Sequence, residues 1–491
     1  MINVLILLAG ATGVLAFSPF KLWWMSIVSL SLLLCLYAQL HYQRGFKTGF
    51  IYGLGFFGLG TSWVFNSFAD FGDAPFIVAL ILTIALVLVQ SAFTGLVMVM
   101  YTRIARYNAE NLFAAMAFVS LWILFEWVRG WFLTGFPWLL YGQAMVDSPL
   151  RGIIPIFGTF GGSALAAVLA TGITSILLGN QKQIRGWLFT LAIIVIAVIY
   201  SNQIDWTTPA QDQPVRVAAV QANIDFELKW DKSRRDIVYD TYADLTRQHW
   251  DSEIIVWPET AIPTFYKVAE QNFIPEFETE VIDNESEVLA GIFTFELETE
   301  SIFNSMVALG AERQFYHKKH LVPFGEYLPF RWLLEIFQKF VNIPMSDLAS
   351  GGGNYIVELR GIPVGVSICY EAAFGEEIIQ SFPEAQLLIN VSNDAWFGDS
   401  LAPHQHLQIA RVRSLESGRF MIRATNTGIS ALIDEKGNIV KRSGQFVKEV
   451  VTGTVIPMQG TTPFIIWGNW AVVSIIFIFL LVIYLRAKNN I

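Results

Sequence analysis

Three short stretches of the chain hold the side chains that thiol-based acyl chemistry requires. Glu259 follows the apolar run Ile254-Ile255-Val256-Trp257 and Pro258. Lys318 lies in Tyr316-His317-Lys318-Lys319-His320-Leu321, in a stretch that continues to Glu326. Cys369 follows Pro363-Val364-Gly365-Val366-Ser367-Ile368 and precedes Tyr370-Glu371. A free thiol has a pKa of about 8.5 and is a weak nucleophile at neutral pH unless a base or a cation acts on it. A carboxylate can take the thiol proton. An ammonium can stabilise first the thiolate and then an oxyanion, together with the backbone N–H just after the cysteine. Each residue alone is ambiguous. A lone cysteine after a strand is most often buried filler, Glu259 reads equally as a helix cap, and Lys318 as one of many surface cations.

The elements that must position these residues are legible around them. Val215–Val220, Ile254–Trp257, Val288–Ile292, Pro363–Ile368 and Leu387–Val391 are continuous Val/Ile/Leu-rich runs, as expected for strands covered on both faces. Asp434-Glu435-Lys436-Gly437, between Ile429–Ile433 and Ile439-Val440, signals a hairpin. Residues 215–455 therefore predict an α/β layered sandwich, with chemistry gathered at strand ends. Residues 202–214, polar with two prolines, read as the linker into it. There is no His-x-x-x-His or Cys-x-x-Cys spacing, so no metal site and no cofactor is expected, and no Gly-x-Ser-x-Gly elbow is present. His404 and His406 read as polar loop or helix residues, neither ligand nor base.

The rest of the chain is different in kind. Of 491 residues 54% are hydrophobic and 15% charged, with the excess in long uncharged runs at both ends. The net charge of −9 excludes a basic face for nucleic acid. Cys35 lies in an apolar run and Cys369 in the globular part, which makes a disulfide between them implausible. Runs near residues 1–17, 24–40, 50–68, 75–100, 112–125, 152–179, 187–201 and 464–485 predict about eight transmembrane helices. The first lacks the basic n-region and cleavage site of a signal peptide. With a cytoplasmic N-terminus, Arg44, Lys47, Arg103, Arg106, Lys182, Arg185, Arg486 and Lys488 fall inside, against Lys21, Arg129 and Arg151 in the outer loops. That bias places residues 202–463 outside and both termini in the cytoplasm. Phe125-Glu126-Trp127-Val128-Arg129 and Thr134-Gly135-Phe136-Pro137-Trp138 read either as an interfacial aromatic belt with a snorkelling arginine or as the wall of a lipid-facing site. Residues 331–353, amphipathic at first and ending in Gly351-Gly352-Gly353, have the composition of a hinged lid or of a surface helix and turn.

Taken in order, the segments around Glu259, Lys318 and Cys369 resemble those of the nitrilase superfamily, as do Asn393–Gly398 and Arg419–Asn426. The resemblance implies an αββα sandwich inserted between transmembrane helices. It selects Lys318 over Lys319, two residues after Tyr316 and two before His320-Leu321. Phe125–Arg129 with Thr134–Trp138, Trp230 after Gln221-Ala222-Asn223, and the His320–Glu326 motif extend the likeness. With them the chain resembles the bacterial apolipoprotein N-acyltransferases almost end to end. That likeness implies an inner-membrane enzyme with residues 1–201 as transmembrane bundle, 202–463 as periplasmic catalytic domain and 464–491 as final helix and tail. It implies acyl transfer from a phospholipid, preferably phosphatidylethanolamine, through a thioester on Cys369 to the N-terminal α-amino group of the lipid-modified cysteine of an apolipoprotein. Glu259 is then the base and Lys318 the oxyanion partner, with Trp230, Glu326, Tyr370 and Glu371 supporting the site. Two other readings remain: a membrane-tethered amidase using the same triad with water as acceptor, and a channel or carrier with a binding domain. The few intramembrane charges speak against the second.

Overall fold

The computed structural model describes residues 1–40, 43–72, 74–107, 111–179, 181–328 and 347–489. The chain divides into two units. One comprises Met1–Phe65, Phe76–Asp205 and Ile466–Ile491, the other Asn66–Pro75 and Trp206–Ile465.

The first unit is helical. Each apolar run carries a helix: Ile2–Gly13, Met25–Gln39, Gly45–Gly60, Phe76–Tyr107, Asn111–Arg129, Ile154–Leu178, Gln181–Ser201 and Trp470–Asn489. Among the described residues four are long and apolar enough to cross a membrane, namely Phe76–Ile104, Leu112–Arg129, Arg151–Leu178 and Gln183–Ser201. Ile2–Ala16, Met25–Gln39 and Trp470–Arg486 are shorter apolar helices. Small residues let two backbones touch: a Cβ on Gly10 would lie 2.0 Å from Tyr52 O, and one on Gly55 2.0 Å from Leu7 O. Buried hydroxyls add polar contacts, with Ser29 Oγ on Tyr52 Oη at 2.7 Å and Tyr52 Oη on Tyr141 Oη at 2.6 Å. Arg129 does not snorkel. It is buried, donates to Trp138 O at 2.8 Å and sits over the Phe57 ring, while Trp122 Nε1 donates to the buried Glu126 at 2.9 Å.

The second unit is two sheets back to back. In the first, strands run in the order Glu449–Val455, Val215–Gln221, Ile254–Val256, Glu287–Glu296, Ser301–Leu309, Phe315–His317, with Ile262–Phe265 also on Glu287–Glu296. The second has the order Ile439–Arg442, Ala431–Ile433, Met421–Thr425, Leu387–Ser392, Ile362–Ile368, Ile356–Leu359. Val217, Val256, Leu289 and Met306 meet Val364, Ile368, Ile389 and Ile422 between the sheets. Neighbouring residues Ala218, Ile255, Trp257 and Val288 face outward into a core with Tyr242 of helix Arg235–Arg247 and Phe277 of helix Ile274–Asp283. Leu388, Met421 and Ala431 pack on Leu407 and Ala410 of helix Ala402–Ser417. Helix, sheet, sheet, helix is the layering that the continuous apolar runs require, because both faces of each sheet are covered. The hairpin forms at Asp434–Gly437, where Asp434 Oδ1 accepts from the amides of Lys436 and Asn438. Of the segment 331–353, residues 331–346 lie outside the described residues. Gly351 is packed rather than free, since a Cβ there would meet His317 at 2.5 Å.

The parallel strands Val215–Gln221, Ile254–Val256 and Glu287–Glu296, and Ile362–Ile368, Leu387–Ser392 and Met421–Thr425, end toward the residues that carry chemistry. Gly291 shows how tightly one such end is held: a Cβ would fall 2.4 Å from both Pro258 O and Thr260 N, the turn that presents Glu259. Gly291→Ala must displace that turn, at a cost of about 1–3 kcal/mol. Thermal unfolding in detergent should show that loss together with a fall in acyl transfer; an unchanged melting midpoint and rate would mean the turn is not constrained by this strand.

Candidate active site

Glu259, Lys318 and Cys369 are brought together in the α/β unit, 6%, 1% and 8% exposed. Glu259 leaves the end of strand Ile254–Val256, and the turn after it is forced by Thr260 in the left-handed region, φ 49°. Lys318 follows strand Phe315–His317, and its amide donates to Asn304 O at 2.8 Å. Cys369 ends strand Ile362–Ile368 and is itself left-handed, φ 54°, before a short turn Cys369–Ala373. Non-glycine residues in that region store about 1–3 kcal/mol each and persist where their surroundings over-determine them.

The Lys318 ammonium donates to Glu326 Oε1 at 2.8 Å and to Glu259 Oε1 at 3.4 Å. Burial pulls its pKa down, but the Glu326 and Glu259 charges outweigh that and raise it well above the usual lysine range. Asn304 Nδ2 bridges the same two carboxylates, donating to Glu259 Oε1 at 2.8 Å and to Glu326 Oε1 at 3.1 Å. The amide of Asn393 holds Glu259 Oε2 at 2.9 Å, and the amide of Val322 holds Glu326 Oε2 at 2.7 Å. Burial, and after it the Glu259 charge, push the Cys369 thiol well above its usual range, with Lys318 opposing. The resting thiol is therefore protonated.

Glu371 ties the Cys369 turn to the loop that carries Lys318. Its Oε2 accepts from Tyr316 Oη at 2.8 Å and Ile368 N at 2.6 Å, its Oε1 from Lys319 N at 2.6 Å and His320 N at 3.2 Å. It thus caps the turn and clamps the loop as well. Burial raises its pKa to about 7 against the pull of those amides. Trp230 lies beside Phe293, Leu321 and Leu348, below the loop that carries Lys318. Tyr370 packs edge-on against Phe374 and His320.

Four residues to which the sequence reading gave no part in the site also line it: Asn304, Asn393, Lys229 and His406. Lys229 is buried and donates to Glu259 O at 3.2 Å and Thr260 Oγ1 at 2.6 Å, pinning the left-handed turn. His406 joins Asp394 to the Cys369 carbonyl. One signal was available: Asn304 and Ser305 stand between the apolar residues Ile302-Phe303 and Met306–Leu309.

Two stacked sheets with a Glu–Lys–Cys set at their strand ends define a carbon–nitrogen hydrolase domain, and residues 216–461 match the family profile described as carbon-nitrogen hydrolase. Residues 9–172 match that of the apolipoprotein N-acyltransferase N-terminal domain. The apolipoprotein N-acyltransferase of Methylococcus capsulatus is 38% identical, over 99% of this chain and 96% of the relative. That of Coxiella burnetii is 36% identical over 99% and 100%, and that of Azotobacter vinelandii 37% over 95% and 92%. The chain belongs to the apolipoprotein N-acyltransferase family and is an acyltransferase.

Lys229 supplies a test of the buried electrostatics. Burial lowers its pKa to about 7, with Glu259 opposing, whereas an unfolded lysine titrates near 10.4. Between those values the unfolded chain holds a proton that the folded one lacks, so this residue adds stability as pH rises from about 7 to 10. Melting curves of wild type and Lys229→Met should therefore diverge in favour of wild type across that range. Parallel curves would show that the buried amine is not depressed.

Proposed function

We propose that the enzyme moves an acyl chain from a phospholipid, with phosphatidylethanolamine preferred, to the α-amino group of the diacylglyceryl cysteine of an apolipoprotein, by way of a thioester on Cys369. The observation that carries this is the convergence of Glu259, Lys318 and Cys369 in one buried cluster, in a chain whose two halves both match the acyltransferase family.

Because the resting thiol is protonated, attack and proton transfer are coupled. Glu259 takes the Cys369 proton as Sγ adds to the ester carbonyl carbon. The oxyanion forms between the Lys318 ammonium and the amide of Tyr370. Its collapse breaks the ester C–O bond, and protonated Glu259 returns the proton to the leaving lysophospholipid oxygen. In the second half-reaction the acceptor amine adds to the thioester carbonyl, Glu259 takes a proton from nitrogen, and the C–S bond breaks to give amide and thiol. Glu326 orients Lys318, and Glu371 orients the loop that bears it. Tyr370 supplies the amide and, with Trp230, an aromatic wall for the substrate.

We place this reaction at the bacterial inner membrane. Residues 1–201 form a transmembrane bundle, 202–463 the periplasmic catalytic domain and 464–491 the last helix and a short tail. About eight spans with both termini cytoplasmic agree with the bias of Lys and Arg toward the inner loops.

A covalent intermediate implies ping-pong kinetics. Enzyme and phospholipid without acceptor should release lysophospholipid in a burst of about one equivalent. Cys369→Ser should abolish it, and Glu259→Gln and Lys318→Ala should each slow it by on the order of 100-fold or more. A burst of normal size and rate in Lys318→Ala would remove the lysine from the first half-reaction, and none in wild type would remove the thioester route.

A further inference from the structure

Behind the nucleophile lies a second polar cluster, wholly buried. His406, on helix Ala402–Ser417, is 1% exposed. Its Nε2 lies 3.1 Å from the carbonyl oxygen of Cys369 and its Nδ1 lies 3.0 Å from Asp394 Oδ1. Asp394 is held in place by Ser392 Oγ at 2.6 Å and by Arg423 Nη2 at 3.0 Å, and Arg423 is fixed in turn by Asn390. Burial would raise the Asp394 pKa, but Arg423 and His406 hold it far below the usual carboxylate range. Burial foremost, and then Arg423, lower the His406 pKa, with Asp394 and the Cys369 carbonyl opposing. Cys369 O can only accept. The contact to Cys369 requires a proton on Nε2 in any case.

Cys369 has its left-handed φ of 54° at this point, and the peptide that follows is not among the cis bonds. In a trans planar peptide the C=O and the N–H point in opposite directions. Whatever fixes the Cys369 carbonyl therefore aims the amide of Tyr370. A donor on the carbonyl also polarises the peptide and strengthens that N–H as a donor.

We infer that His406 is a positioning residue for the oxyanion: by holding the Cys369 carbonyl from behind, it turns the Tyr370 N–H toward the developing charge on the acyl carbonyl. The inference rests on the acyl-transfer reading above and adds to it a residue that touches no substrate. Asp394, Arg423 and Ser392 form the base on which the ring stands. The arrangement predicts a specific split. Acylation passes through an oxyanion, whereas alkylation of the same thiol by iodoacetamide is a displacement at saturated carbon and passes through none.

The experiment is to measure both reactions in the full-length enzyme in detergent, for wild type, His406→Leu and His406→Gln. Acylation is read as the lysophospholipid burst with phosphatidylethanolamine alone, and alkylation by mass spectrometry of the Cys369 peptide. His406→Leu removes the donor and is expected to slow acylation by about 10–100-fold, somewhat less than deletion of an oxyanion-hole donor. Alkylation should stay within about twofold of wild type. His406→Gln, which keeps one donor, should recover part of the acylation rate. If His406→Leu does not fold, His406→Gln alone decides, with acylation several-fold lower at normal alkylation as the expected result. Acylation and alkylation falling together, or neither falling, would overturn the inference. A wild-type enzyme that forms no acyl adduct would instead refute the acyl-transfer reading itself.

Discussion

A single buried ammonium organises the site. Lys318 is 1% exposed and lies between two carboxylates, 2.8 Å from Glu326 and 3.4 Å from Glu259. Taking an ammonium out of water costs several kcal/mol, and removing one partner of such a cluster strands the rest. The surrounding structure therefore fixes every member. Asn304 donates to both carboxylates, Asn393 and Val322 donate backbone amides, and Glu371 holds the two amides that follow the lysine. The two carboxylates differ in what else they do. Glu326 is tied to its own loop by the Val322 amide, and Glu259 stands at the end of a different strand, held by the Asn393 amide.

Glu259 and Cys369 stand at turns that the backbone would not adopt unaided. Thr260 and Cys369 are both left-handed, and each turn is held by a buried basic side chain, Lys229 on the Glu259 carbonyl and His406 on the Cys369 carbonyl. Both bases stand on elements other than the turn they hold. The strain at the strand ends is thus balanced by contacts from neighbouring layers, and the αββα packing is what brings those layers within reach.

Much of this was legible in the sequence, and the limits have physical causes. Continuous apolar runs gave the central strands, because a strand covered on both faces has no polar alternation to hide it. The grouping of Glu259, Lys318 and Cys369 was readable from three strand ends in order. Ser301–Leu309 and Glu449–Val455, strands of the first sheet, were not singled out, since their polar residues break the run. Helix Ala402–Ser417 hides its burial in the opposite way: His406 reads as a polar loop or helix residue, yet it and Gln405, Arg411, Arg413 and Glu416 are all buried. A buried polar residue carries no mark in sequence, because its partners come from distant segments. Arg423 and Asp394 are 29 positions apart and Lys229 and Glu259 are 30. Arg129, which the sequence also allows as a snorkelling arginine, is turned inward onto Trp138 and Phe57.

The central claim is that Cys369 carries the acyl chain. The most direct measurement is intact and peptide mass spectrometry of enzyme incubated with phosphatidylethanolamine of defined acyl composition, before and after a diacylglyceryl-cysteine peptide is added. The account predicts one acyl mass on the Cys369 peptide, none on the Cys35 peptide, and its loss when the acceptor has a free α-amine but not when that amine is blocked. Acyl transfer to the peptide with no adduct on Cys369, or with the adduct on another residue, would contradict it.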